Sequence, residues 1–238
     1  MSLRSLFNAL TLCLLLVTNV CSAKSSHRRH ATQSVNSLDQ QYAIHLKERS
    51  DINEHLPVLR QLSSECSSVI EIGVRNVVST WGILMGLTES PHHPKSYLGI
   101  DLNYPPENKY RLAQALAEQN QISFKFWKGN DLDAEVESAD MIFIDTLHTY
   151  CQLTVELEKF APKANNYITM HDTSGPWGDS DDGAYNGDRS EYPEYVDRTK
   201  RGLWPAVVDF LARHPEWELK ERYLNNNGFT VLARVQNR

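Results

Sequence analysis

Met141-Ile-Phe-Ile-Asp145-Thr-Leu-His148 and Tyr167-Ile-Thr-Met-His171-Asp172-Thr173 decide how this chain folds. Each opens as a short apolar run, rich in β-branched or aromatic residues, and closes on acids and imidazoles. Short runs of that kind, bounded by polar residues, read as strands buried in a parallel sheet. Groups at the carboxyl ends of neighbouring parallel strands point into one crevice, which is where open α/β sheets bind ligands. Asp145, His171 and Asp172 can then share a metal ion, with His148 one helical turn further on as a base. Imidazole is a poorer magnesium ligand than carboxylate, so His171 shifts the preference towards manganese, iron or zinc.

Outward from these two strands the chain alternates. Val69–Gly73, Tyr97–Asp101 and Ile122–Trp127 read as strands, and Ser79–Leu87, Lys109–Glu118 and Leu153–Phe160 as helices between them. This is the rhythm of a doubly wound α/β sheet with helices on both faces. Upstream, Leu46, Ile52, Leu56, Leu59 and Leu62 are spaced as on helices, with Asp51 as the expected N-cap of the second. Downstream the rhythm stops. Residues 174–200 show no period and are expected to form a lid or insert loop. Residues 202–214 read as a helix. Trp217–Tyr223 and Phe229–Val235 read as two strands joined by Asn225-Asn226-Asn227-Gly228, a turn whose residues tolerate positive φ.

The 238 residues carry a net charge of -6, which argues against a nucleic-acid partner. Between Asp179 and Asp197, within the insert, seven acids (Asp179, Asp181, Asp182, Asp188, Glu191, Glu194 and Asp197) face a single base, Arg189. Together with Tyr185, Tyr192 and Tyr195, they suit either a grip on a sugar or cationic acceptor, or a solvated surface. Residues 1–23, with Arg4 before an apolar run and Cys21-Ser22-Ala23 at its end, read as a signal peptide. The expected location is therefore the secretory pathway or outside the cell, with a signal anchor as the alternative, and no stable membrane span follows if the signal is cleaved. Residues 24–37 read as a disordered polar tail and 38–238 as one domain. No Asn-x-Ser/Thr acceptor occurs. Cys66 and Cys151 would outlast the signal, either as a disulfide or as two buried apolar residues.

The first strand ends Glu71-Ile-Gly73, with Ser79 opening the next helix. A glycine between a strand end and a helix N-terminus lets a ligand approach the backbone. Glu71 in an apolar strand needs partners for its lone pairs. Asp101, 28 residues after Gly73, suits the hydroxyls of a ribose. Gly129-Asn130-Asp131 after the third strand suits an adenine pocket.

In this order the motifs resemble the class I, Rossmann-like S-adenosylmethionine-dependent methyltransferases, over about residues 50 to 235. The Asp145…His148 and His171-Asp172-Thr173 pair resembles a narrower branch, the metal-dependent O-methyltransferases related to cephalosporin hydroxylase and macrolide-sugar methyltransferases. The resemblance implies a mostly parallel seven-stranded sheet with a C-terminal antiparallel hairpin. It implies S-adenosylmethionine as cofactor, held by Glu71, Gly73, Ser79, Asp101, Asn130 and Asp131. It implies a divalent metal, magnesium or manganese, on Asp145 and Asp172, with His171 in the place of a third ligand, and His148 as base. The acceptor would be a small hydroxylated molecule, a glycoside among the candidates. Two residues depart from the pattern. Val77 stands where a second glycine is usual, and His171 where an acid is. A descendant that keeps the fold and only binds a ligand or partner is the alternative. Homo-oligomerisation is left open.

Overall fold

The computed structural model describes residues 37–185 and 187–235. The expected signal peptide and all but the last residue of the expected polar tail lie outside the described residues. Among the described residues, no helix is long and apolar enough to cross a membrane.

Seven strands form one sheet: β1 Ser68–Ile72, β2 Lys95–Asp101, β3 Ile122–Lys128, β4 Ala139–Ile144, β5 Ala164–His171, β6 Trp217–Tyr223 and β7 Phe229–Arg234. Their order across the sheet is β3-β2-β1-β4-β5-β7-β6. All neighbours pair in parallel up to β5, and β7 runs antiparallel to both β5 and β6. The expected hairpin is therefore present, with its second strand inserted between the first and the parallel sheet.

Alternation along the strands divides the core. Val69, Met141, Phe143 and Val231 face helices α1 (Leu38–Lys47), α2 (Leu56–Ser64), α3 (Val78–Glu89) and α4 (Glu107–Gln119). Ile70, Ile72, Ile142, Ile144 and Leu232 face α5 (Tyr150–Phe160) and the later helix α6 (Leu203–Arg213). A period of two on each strand gives both faces an apolar layer, as a doubly wound sheet requires. Cys66 lies in the first layer and Cys151 in the second, so both are free and buried rather than bridged. Helix α3 crosses α2 closely because Gly86 has no side chain: a Cβ there would sit 2.2 Å from the Arg60 carbonyl oxygen.

Two expectations change. The helix after β4 starts at Tyr150 rather than near Leu153, because the Thr149 hydroxyl accepts from the Gln152 N–H at 3.2 Å and caps it. Asp51 does not cap the second helix. Ser50 and Asn53 exchange backbone-to-side-chain hydrogen bonds of 3.0 Å in the manner of a capping box, which leaves the Asp51 carboxylate free to pair with Arg75.

The parallel register brings β1, β2, β4 and β5 to a common edge. Ile72 is opposite both Ile100 and Ile144, and Ile144 is opposite Met170. Gly73, Asp101, Asp145 and Asp172 consequently leave the sheet side by side.

Candidate active site

The loop after β1 is built by its neighbours. The Gly73 N–H donates to the Ile100 carbonyl and the Asp145 N–H to the Ile72 carbonyl, each at 2.8 Å. Gly73 has φ +88, and a Cβ on it would lie 1.8 Å from the Asp145 carbonyl oxygen. The glycine is thus needed for the passage of its own chain over the end of β4. One oxygen of Asp101 accepts from the N–H groups of Val74 and Arg75, both at 2.9 Å, and the other from Asn103 at 3.0 Å. Asp101, expected to serve a ribose, therefore shapes this loop first. Arg75 and Val77 turn through φ +44 and +66, and the Val77 side chain is buried in the first core layer. A β-branched residue seldom adopts that conformation, so the loop carries strain beside the crevice.

These elements enclose a cavity of about 430 Å³, within the range of small-molecule sites. It is lined by Gly73, Arg75, Asp101, Asn130, Asp131 and Asp145, with Gln152 and Tyr185 among the remaining contributors. Asn130 also caps the short 3₁₀ turn after β3 by accepting from the Leu132 N–H at 3.2 Å.

Glu71 and Ser79, expected at the cofactor, lie away from this cavity. Glu71 is on the same face as Val69, wholly buried against α3. Its carboxyl accepts from Thr80 Oγ1 at 2.8 Å, from Tyr97 OH at 2.5 Å and from the Ser79 hydroxyl. Burial pushes its pKa up to about 7, and the three hydroxyls limit the rise. The physical reason for the correction is strand alternation: position 71 faces the helix layer, where two hydroxyls at the start of α3 point back at it.

Asp145, His148, His171 and Asp172 do come together. His148 Nε2 is 2.9 Å from Asp172 Oδ2 and 3.9 Å from Asp145 Oδ1. His171 Nδ1 approaches the same two oxygens from the buried side, at 3.1 and 3.5 Å. Asp172 holds φ +59, a strained turn for an aspartate at the end of β5. Burial opposes charge on both imidazoles, but the two carboxylates outweigh it. His148 rises to about 9, and His171 is pushed well above its ordinary value. In return both imidazoles hold Asp145 and Asp172 below the usual carboxylate range, against their burial.

The chemistry of this donor set fits a divalent ion. One ligand atom each from Asp145, His148 and Asp172 lie within 4.8 Å of one another. His171 Nδ1, His148 Nδ1 and Asp172 Oδ1 are buried and lack hydrogen-bond partners among the described residues. His171 donates its other ring N–H to the Asn226 carbonyl at 3.0 Å, which leaves Nδ1 facing the carboxylates. Metal-ligating histidines are oriented in just this manner.

Several residues of the site carry no local sequence signal. Asp182 Oδ2 lies 3.7 Å from His148 Nδ1, and its N–H donates to the His148 carbonyl at 2.9 Å. The Trp177 ring lies 4.6 Å from that of His148. His55, from the turn before α2, donates to the Asn225 carbonyl at 3.0 Å and stands edge-on to His171. The acidic insert is not a free anionic surface. Asp181 binds Arg189 at 2.5 Å and the N–H groups of Tyr150 and Gly202 at 2.9 and 2.7 Å, while Asp188 and Asp197 cap their own turns.

No protein-family model matches the sequence, and no curated protein matches it. Solved structures do resemble it. An O-methyltransferase from Bacillus cereus in complex with S-adenosylhomocysteine has a TM-score of 0.54 at 16% identity, over 83% of this chain and 90% of that one. An O-methyltransferase from Streptomyces achromogenes involved in tomaymycin synthesis, in complex with S-adenosylmethionine, has a TM-score of 0.52 at 14% identity, over 84% and 89%. A Podospora anserina methyltransferase bound to S-adenosylhomocysteine has a TM-score of 0.50 at 14% identity, over 94% and 100%. At these identities the likeness establishes the fold, which is that of the class I methyltransferases.

Proposed function

We propose that this chain is an S-adenosylmethionine-dependent O-methyltransferase, assisted by a divalent metal ion and acting on a small hydroxylated acceptor. One observation carries the reading: a cavity of about 430 Å³ at the carboxyl ends of the central strands reaches Asp145, and thereby the cluster of two carboxylates and two imidazoles. The solved structures of this fold that hold S-adenosylmethionine or its demethylated product support the choice of cofactor.

Asp101, Asn130 and Asp131 would receive the adenosyl end, with Asp101 using the lone-pair capacity left over from the loop. The sulfonium methyl is electrophilic by itself, so alignment and activation of the acceptor are the tasks left to the protein. Asp145 and Asp172 would hold the ion, with His171 Nδ1 as nitrogen ligand. A bound ion lowers the pKa of a coordinated hydroxyl and takes up the carboxylate charge that otherwise keeps a proton on His148. His148 Nε2 is the proton acceptor, with the Asp182 carboxylate 3.7 Å from Nδ1 and Trp177 covering the ring.

Titration calorimetry with S-adenosylhomocysteine, with and without manganese or magnesium, tests the reading. Micromolar binding by the folded protein is expected, and no binding under any metal condition would leave the non-catalytic alternative. A second reading, favoured by the 4.8 Å grouping of Asp145, His148 and Asp172, makes His148 a ligand. Under the first reading His148→Ala lowers turnover and keeps manganese affinity, whereas under the second that affinity is lost.

A further inference from the structure

A second, smaller cavity of about 150 Å³ lies behind Leu147, between the start of α5 and the insert. Leu147 and Tyr185 line both this cavity and the larger one, so the two adjoin at these side chains. Thr149, Cys151, Arg189 and Tyr192 supply most of the remaining wall. Most of the polar groups there are already engaged. The Tyr192 hydroxyl donates to Gln152 Oε1 at 3.1 Å, and Thr149 Oγ1 accepts from the Gln152 N–H at 3.2 Å. Arg189 donates through Nη2 to Asp181 at 2.5 Å, and through Nη1 to the Arg198 and Lys200 carbonyls at 3.3 and 3.4 Å. Burial pushes the Cys151 thiol up, which makes it an apolar wall and not a nucleophile. What the cavity offers a ligand is therefore a leucine, a thiol and two tyrosine rings.

A sugar buried here would leave hydroxyls without partners, and each one is penalised. A single aromatic ring leaves none. Apolar cavities of roughly 150 Å³ hold benzene, and tyrosine rings on the wall favour an aromatic guest in offset or edge-on contact. The guest's ring is not the part that reacts, because Asp145, His148, His171 and Asp172 are all absent from this cavity's lining. Leu147 is the neighbour of His148 in the chain and two residues from Asp145, so an arm passing Leu147 leads from the ring towards the cluster. We propose that the smaller cavity recognises the acceptor, and that the acceptor is an aryl-substituted alcohol: its ring lies against Tyr185 and Tyr192, and its hydroxyl is carried on a short arm past Leu147. This rests on the reading of the chain as an O-methyltransferase and deepens it by naming the substrate class. In the transfer the alcohol oxygen bonds to the methyl carbon, the methyl–sulfur bond breaks to leave S-adenosylhomocysteine, and the hydroxyl proton passes to His148.

The probe is para-fluorophenylethanol, titrated into the full chain and followed by fluorine NMR, beside calorimetry with S-adenosylhomocysteine. Saturable binding with a Kd of about a millimolar is expected for a ligand of this size, and methyl glucoside should not displace it. Cys151→Phe puts a ring of the protein's own into the cavity. It should weaken the probe by about tenfold or more and leave S-adenosylhomocysteine within about twofold. If the phenylalanine prevents folding, Cys151→Met fills part of the same space and should weaken the probe by about threefold. Thermal unfolding close to wild type shows that either loss is not a folding defect. With manganese present, the hydroxymethyl protons of the bound probe should relax faster than its ring protons. No saturable binding by a protein that binds S-adenosylhomocysteine, displacement by methyl glucoside, indifference to both Cys151 variants, or faster relaxation of the ring would each overturn the inference and leave the cofactor reading standing. A protein that binds the probe and not S-adenosylhomocysteine would remove that reading, and the acceptor role of the smaller cavity with it.

Discussion

Glu71 and Glu156 are both fully buried, on opposite faces of the same sheet, yet they live in opposite circumstances. Glu71 sits among three hydroxyl donors with no second acid hydrogen-bonded to it. Glu156 accepts from Thr146 Oγ1 at 2.5 Å and from Gln152 Nε2 at 2.9 Å on one oxygen, while its other oxygen has no partner among the described residues. Gln152 also reaches both Asp131 oxygens, at 3.4 and 3.5 Å, so a second carboxyl stands close by. Burial, then the charge of Asp131, push Glu156 well above the usual carboxylate range. The difference teaches that burial alone does not set the state of an acid. Donors limit the rise at Glu71, whereas at Glu156 a neighbouring carboxylate adds to the upward push of burial.

The largest effect should come from deleting the carboxyls. Glu71→Leu strands three buried hydroxyls and should cost roughly 3 kcal/mol or more, read by denaturant unfolding. Glu156→Leu strands a hydroxyl and part of an amide and should cost distinctly less. Equal losses would break the comparison. Next comes pH. Glu71 has a folded pKa of about 7 against an ordinary 4.5, so the folded state binds the extra proton between those values. Stability from this group is complete below about pH 4.5 and falls, by about 3 kcal/mol in all, as pH rises through 7. Tyr97→Phe removes a donor to the ionised form, so it should destabilise more at pH 8 than at pH 5. A pH-independent loss would show that the charged form gains nothing from the hydroxyl. The amide substitutions should then differ in sign. Glu71→Gln places an amide among donors and should lose about 1 kcal/mol, whereas Glu156→Gln removes a buried acid that stands beside Asp131 and should raise Tm at pH 8. The smallest effect belongs to Tyr192→Phe, which removes the 3.1 Å bond to Gln152 Oε1 and should cost about 0.5–1 kcal/mol.

Strand periodicity made the architecture legible. Met141–Ile144 and Tyr167–Met170 were apolar enough to place Asp145, His148, His171 and Asp172 at adjoining strand ends, and the structure brings all four together. The partners of those residues were not legible, because each comes from a distant segment. Asp182 belongs to an insert without period, and His55 and Asn226 meet His171 only through the docking of the hairpin tip on the turn before α2. Glu71 misled because a strand-end acid near a glycine looks the same whether it faces a ligand or a helix. Only the phase of the strand against α3 separates the two cases. The acidity of residues 179–197 misled in another way: composition does not show that Asp181 is neutralised by Arg189 and by backbone donors.

The hairpin tip between β6 and β7 also sets an order in time. His171 and His55 take their orientation from the carbonyls of Asn226 and Asn225, and Ser174 donates to the Asn227 carbonyl at 2.8 Å. A chain emerging from the ribosome exposes Asp145, His148, His171 and Asp172 more than fifty residues before the tip that orients them exists. During that interval the four side chains can gather no faster than the rest of the sheet allows, and the ring that will face the carboxylates has no fixed tautomer. Competence of the site is therefore withheld until β6 and β7 have joined the sheet.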